Sequence, residues 1–183
     1  MKTAAIAVGL GLVLATDTVS GQARAVDDAQ SGPAAVSSKP ARTVLLRAGL
    51  LGAYRELYDL SIWAGGFGLS VGGEGEHHGG HANLHGLFGR TRAGLPITEI
   101  GVAGTYEMHF GGARFGVGGG VTYLGIRRAT TGQHLGSIGL GPLVRLGYDF
   151  GEGHGAYVLA QYSAQAYQGP VVYGPMLWAG WRW

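Results

Sequence analysis

The sequence predicts an all-β chain that closes as an eight-stranded antiparallel up-and-down β-barrel. Three observations predict it. Turn signals divide residues 42–183 into eight segments of similar length. Within them, apolar residues alternate with polar or small ones at a period of two, which separates the two sets onto opposite faces of a strand. The composition also resists helices, since 37 of the 183 residues are glycine and each interior helical glycine costs about 1 kcal/mol relative to alanine. The chain has no cysteine, which excludes a disulfide scaffold, a thiolate metal site and a cysteine nucleophile. Four Trp, nine Tyr and five Phe exclude a disordered chain. A formal charge of +2 gives no electrostatic footprint for nucleic acid.

Residues 1–25 read as a cleaved signal peptide. Lys2 supplies the positive start, Ala4–Ala15 is an apolar run too short to span a bilayer as a helix, and Ala23-Arg24-Ala25 offers small residues for cleavage. No cysteine follows, so a lipoprotein anchor is excluded. Residues 26–41 form a small, polar, proline-containing lead-in. Residues 42–183 contain no lysine and no apolar run long enough for a transmembrane helix.

Strands are expected at 43–54, 61–72, 82–91, 98–110, 113–126, 134–149, 156–166 and 172–183. The fourth and fifth test the scheme. A Gly111-Gly112 loop supplies a type I′ turn, pairing Phe110 with Ala113, His109 with Arg114, Met108 with Phe115 and Ile100 with Tyr123. One face then carries Ile100, Val102, Tyr106, Met108, Phe115, Val117, Val121 and Tyr123. The other carries Glu99, Thr105, Glu107, His109, Arg114 and Thr122 among glycines. The sixth and seventh strands behave alike: Ile138, Leu140, Val144, Leu146 and Tyr148 meet Val158, Ala160 and Tyr162, with Arg145, Gln161 and Ser163 opposite. Tyr173, Leu177, Ala179, Trp181 and Trp183 share a face of the last strand.

A soluble barrel also alternates, and three features favour lipid. Aromatic residues gather in two sets at the strand ends, as membrane-interface girdles do. One set is Phe110, Phe115, Tyr148, Phe150, Tyr157, Trp181 and Trp183; the other is Tyr54, Tyr58, Trp63, Tyr123, Tyr162, Tyr167 and Tyr173. The even connections at 111–112 and 151–155 are short, whereas the odd ones at 90–98 and 127–134 are longer and carry arginines; the His-rich second connection is a long exception. The chain ends Leu177-Trp178-Ala179-Gly180-Trp181-Arg182-Trp183. Trp181 and Trp183 match the terminal aromatics of the β-signal read by the barrel-assembly machinery. Trp178 stands where that pattern normally has glycine.

On these residues the chain resembles the small eight-stranded outer-membrane β-barrels of Gram-negative bacteria. The resemblance covers residues 42–183 as an architectural pattern and implies insertion into the outer membrane. It carries over no activity, because fold does not fix function.

Inside such a barrel, Arg47, Glu99, Glu107, His109, Arg114, Arg145 and Arg182 are expected to form a buried ion-pair network, since unpaired charges there are costly. Glu74–His85 holds four histidines and two carboxylates. His77, His78, His81 and His85 are a metal-ligand set in type but not in spacing, so the segment reads as a polar turn between strands two and three. His134 and Ser137 are the nearest approach to a catalytic pair, but their spacing puts them on opposite faces, and no catalytic residues are assigned. No phosphate-loop or other cofactor motif is present. Arg90, Arg92, Arg127 and Arg128 are placed to meet lipopolysaccharide phosphates at the outer rim. The reading is therefore a structural or surface-interaction barrel, expected as a monomer and meeting outer-membrane lipid. The alternatives are a narrow small-solute pore, a lipid-modifying enzyme and a soluble exported barrel.

Overall fold

The computed structural model describes residues 43–58, 60–127, 131–151 and 153–183. The signal peptide and lead-in read at 1–41 lie outside them. The described residues form eight antiparallel strands: β1 (Thr43–Leu57), β2 (Leu60–Glu74), β3 (His78–Thr91), β4 (Pro96–Phe110), β5 (Ala113–Arg127), β6 (His134–Asp149), β7 (Gly155–Ala166) and β8 (Val171–Arg182). Each pairs with its neighbours in sequence, and β8 closes on β1. Closure extends to the chain end, where Leu46 and Trp183 exchange backbone hydrogen bonds of 3.1 and 2.8 Å. Complete pairing removes the edges that an open sheet leaves unsatisfied.

The hairpin registers follow from alternation. Phe110 pairs with Ala113, His109 with Arg114 and Ile100 with Tyr123. Val144 pairs with Tyr162 and Tyr148 with Val158. Gly111, at φ 61°, is left-handed and Gly112 is not, which fits a type II′ turn rather than the expected type I′, since type I′ needs a positive φ at both central residues. Large apolar side chains point outward on every strand; Leu50 is 75% exposed, Leu140 66% and Ile138 65%.

Three further expectations are corrected. The long second connection does not exist. Glu74 ends β2 and His78–His85 are the first half of β3, leaving only 75–77 as the turn. The period-two alternation of Gly79, His81, Asn83 and His85 inward against Gly80, Ala82 and Leu84 outward continues β3 through the histidines. Second, the contrast in connection length is small: 75–77, 111–112 and 150–154 lie at one end, and 58–59, 92–95, 128–133 and 167–170 at the other. The strands simply run further than their minimum crossing length of about 9–11 residues. Third, Tyr157 is not in the girdle. It pairs with Asp149 and Gly180 on the inward parity and is 1% exposed.

Pro175 interrupts the β1–β8 ladder, because proline has no N–H to give it. Regular pairing lapses opposite Tyr54 and Arg55. Arg55 compensates by donating to the Gly174 carbonyl at 2.8 Å.

Candidate functional site: the barrel interior and its rims

The interior is filled in three layers. The layer nearest the even turns is charged. Arg47 Nη1 donates to Glu107 Oε2 at 3.0 Å and Arg47 Nη2 to Glu74 Oε1 at 3.3 Å. Arg114 donates to Glu74, to Asp149 and, at 2.8 Å, to His109 Nε2. Arg182 donates to Asp149 Oδ2 at 2.7 Å and to the Gly151 carbonyl. Arg145 donates to Gln161 at 2.8 Å and Asn83 at 2.6 Å, with Glu107 Oε1 at 3.6 Å. Four guanidinium groups thus share three carboxylates. Each charge is met by several partners, which is the condition for holding charge in low dielectric.

The middle layer is apolar. Leu51, Ala53, Leu87, Leu159, Met176 and Trp178 pack together with Tyr157. Trp178 is its centrepiece at 1% exposure. The Arg145 guanidinium lies 5.0 Å from its ring centre, and the His85 ring stands edge-on to it at 6.5 Å. Gly68 makes this possible, since a Cβ there would lie 2.3 Å from the Trp178 ring.

The third layer, toward the odd connections, holds one compact ion cluster. Arg55 grips Glu99 with two hydrogen bonds of 3.0 and 3.3 Å, and His85 Nε2 lies 3.1 Å from Glu99 Oε1. Ile62, Ile97, Leu124 and Val172 are buried in the same half. The Tyr167 ring lies against Gly139, an inward position, so Tyr167 turns over the barrel interior rather than joining the girdle.

All seven charged residues assigned to the interior from sequence are buried there. Six of them cluster at the even end, and Glu99 lies apart in the other half. Sequence reasoning missed Arg55, Glu74 and Asp149, all at or near strand ends, and the interior side of Trp178. Alternation was the signal that would have found them: Asp149 and Trp178 stand at inward parity within the expected strands, and Arg55 and Glu74 lie one and two residues beyond theirs.

The four histidines that match metal ligands in type but not in spacing are dispersed. His77 is in a turn, His78 points outward against Tyr106, His81 is in the charged layer and His85 is bound to Glu99. A different set gathers: ligand atoms of Glu74, His81, Glu107 and His109 lie within 4.8 Å of one another. Arg114 already contacts Glu74, His109 and Glu107, so a guanidinium serves as the cation among them. His134 faces outward and Ser137 inward, apart as their spacing requires.

Trp63, Phe110, Phe115, Tyr148, Phe150, Trp181 and Trp183 are outward and exposed. The Trp63 ring lies tilted against Tyr54 with centroids 4.8 Å apart, and Tyr148 against Phe150 at 5.0 Å. Arg90, Arg92 and Arg127 are exposed at the odd end, whereas Glu76 and His77 occupy an even turn.

No protein-family model matches the chain, and no curated protein is significantly similar to it in sequence. Solved structures are similar to it in fold. The Neisserial surface protein A aligns over 76% of this chain and 95% of its own, at 15% identity and a TM-score of 0.57. Ail, the attachment invasion locus protein of Yersinia pestis, aligns over 76% and 97%, at 12% identity and a TM-score of 0.57. A second Ail structure, in complex with the heparin analogue sucrose octasulfate, aligns at 14% identity and a TM-score of 0.54 over the same shares. These shared lengths and a closed, all-antiparallel sheet of eight strands give this chain the fold of the small eight-stranded outer-membrane β-barrels.

Proposed function

We propose that this chain is an outer-membrane barrel with a structural or surface-interaction role, sealed through its middle. The observation that carries the reading is the outward band of large apolar side chains on all eight strands. A closed barrel that displays Leu50, Ile138 and Leu140 to its surroundings needs an apolar solvent, and the aromatic residues at both ends supply the interfacial anchors. The arginines at one end and Glu76 at the other favour an orientation with the odd connections toward lipopolysaccharide. Trp181 and Trp183 are the residues that we assign to recognition by the barrel-assembly machinery.

Membrane fractionation with heat-dependent gel mobility tests the reading. The chain is expected in the outer-membrane fraction with a folded band that shifts on boiling. A chain free in the periplasm with no shift would support the soluble exported barrel instead. The apolar layer around Trp178 supports a sealed interior over a pore, because an eight-stranded barrel has room only for side chains. Planar-bilayer recordings are expected to show no discrete channel steps. The lipid-modifying alternative predicts altered lipid A in expressing cells, and mass spectrometry is expected to find it unaltered.

A further inference from the structure

A cleft on the outward face of β4, β5 and β6 gathers four polar side chains that take no part in the interior network. Arg127, the last residue of β5, pairs directly with His134, the first of β6. Two registers toward the barrel middle, Gly125 pairs with Gly136 on one side and Thr98 on the other. Two registers further, the Tyr123 ring leans back over this glycine pair; a Cβ at Gly136 would lie 2.3 Å from its hydroxyl. The missing side chains at Gly125 and Gly136 leave a floor. Above it is a cleft of about 370 Å³ lined by Thr98, Tyr123, Arg127 and His134, with Pro96 at its side.

These walls present a guanidinium, an imidazole and two hydroxyls. The ion pairs among the described residues belong to the interior clusters and to the His77–Glu76 turn, so Arg127 and His134 have no carboxylate in contact there. A group of exposed donors without an anionic acceptor suits an oxyanion, and the planar fork of arginine matches two oxygens of a phosphate. Position narrows the source. The cleft opens outward at the level of the tyrosine girdle, and directly below it the wall continues as Ile138, Leu140 and Val121. A phosphate held here has an apolar surface beneath it on which attached acyl chains can lie.

We propose that this cleft binds a lipid-borne phosphate, that of lipid A in the outer leaflet. The proposal rests on the membrane reading above and adds the residues that do the binding: Arg127 and His134 as the anion grip, Tyr123 and Thr98 as flanking donors.

The mature chain, folded in maltoside micelles that carry no phosphate, is titrated with lipid A. Native mass spectrometry counts the bound lipid, and the Arg127 side-chain NMR signal reports its site. Saturable binding that moves the Arg127 signal is expected. Arg127→Gln combined with His134→Gln is expected to weaken it at least tenfold, Arg127→Lys to weaken it by less because the charge is kept and the fork is lost, and dephosphorylated lipid A to bind the unaltered chain as weakly as lipid A binds the double variant. Equal binding of the dephosphorylated lipid, or by the double variant, would overturn the proposal. So would inorganic phosphate alone moving the Arg127 signal as far as lipid A does, which would make this a site for the free ion. Heat-dependent mobility is recorded on every sample. A folded barrel that ignores lipid A sinks the cleft alone, whereas a chain that never folds into micelles sinks the membrane reading and the cleft with it.

Discussion

The two ends of the interior solve the same problem with opposite means. At the even-turn end, Arg47, Arg114, Arg145 and Arg182 share Glu74, Glu107 and Asp149, with His81, His109, Asn83 and Gln161 around them. At the odd-connection end, Arg55 has Glu99 as its carboxylate, with His85 alongside and apolar side chains nearby. A shared network tolerates the loss of a member, because its cations have second partners. An isolated pair does not, because removing one charge leaves the other buried and uncompensated. The smaller cluster is therefore the more brittle one.

The largest effect is expected from Glu99→Ala. Arg55 keeps the Gly174 carbonyl but loses both bonds to carboxylate. A loss of about 3–5 kcal/mol is expected, read as a lower urea midpoint in micelles by gel mobility. Replacing both partners, Arg55→Leu with Glu99→Leu, is expected to recover most of that loss. A single variant as mild as the corresponding change at the other end would erase the proposed contrast.

That corresponding change is Glu107→Ala, with an expected cost of about 1–3 kcal/mol. Arg47 retains Glu74 at 3.3 Å and Asp149 at 3.8 Å. Arg114 retains Glu74 and Asp149, and Arg145 retains Gln161 and Asn83. The same urea titration decides it. Unchanged resistance would show that Glu107 contributes nothing, and a loss equal to that of Glu99→Ala would show that the network is not redundant.

The contrast itself was only half legible in the sequence. Strand number, hairpin register and the facing of His109, Arg114 and Arg145 followed from a period-two pattern, because a one-residue slip would turn every apolar side chain inward. Residues at strand ends were harder. Glu74, Asp149 and Arg55 complete the two clusters, yet Asp149 stood unassigned at the end of its expected strand, Arg55 fell just beyond one, and polar residues near glycines, Glu74 among them, read as turn. The histidines of 77–85 read as a loop for the same reason, although His81 and His85 alternate correctly with Ala82 and Leu84. Trp178 and Tyr157 failed differently. Aromatic type suggested a girdle for Tyr157, and Trp178 was noted only as a departure from the assembly signal, while parity alone already placed both inside: Val158 and Leu177 face outward, so their neighbours cannot. Parity constrains a strand residue more tightly than its chemistry does.

Gly68→Ala tests the layer that separates the ends. The new Cβ would meet the Trp178 ring at 2.3 Å, and a ring that shifts disturbs its contacts with the Arg145 guanidinium and the His85 imidazole. Overpacking of this kind is expected to cost about 1–3 kcal/mol. Because His85 also holds Glu99, the disturbance is expected to reach the brittle end. Trp178→Phe in the same background relieves the clash and is expected to restore part of the urea midpoint. No recovery would mean that the strain lies in the β2 backbone rather than in the divider.

The smallest expected effect is that of His109→Gln, under about 1 kcal/mol. His109 Nε2 accepts from Arg114 at 2.8 Å, and a glutamine amide oxygen can accept in its place. Arg114 keeps two carboxylates whichever residue stands there. The geometry also makes a statement about charge: a nitrogen that accepts from a guanidinium carries no proton of its own, so His109 acts here as a neutral acceptor. Near-equal urea midpoints for His109→Gln and the unaltered chain are the result this requires. A loss as large as that of Glu107→Ala would mean that His109 contributes a positive charge to Glu74, 3.7 Å away. The even end would then hold one more cation than its arginines supply, and its tolerance of losing Glu107 would no longer follow.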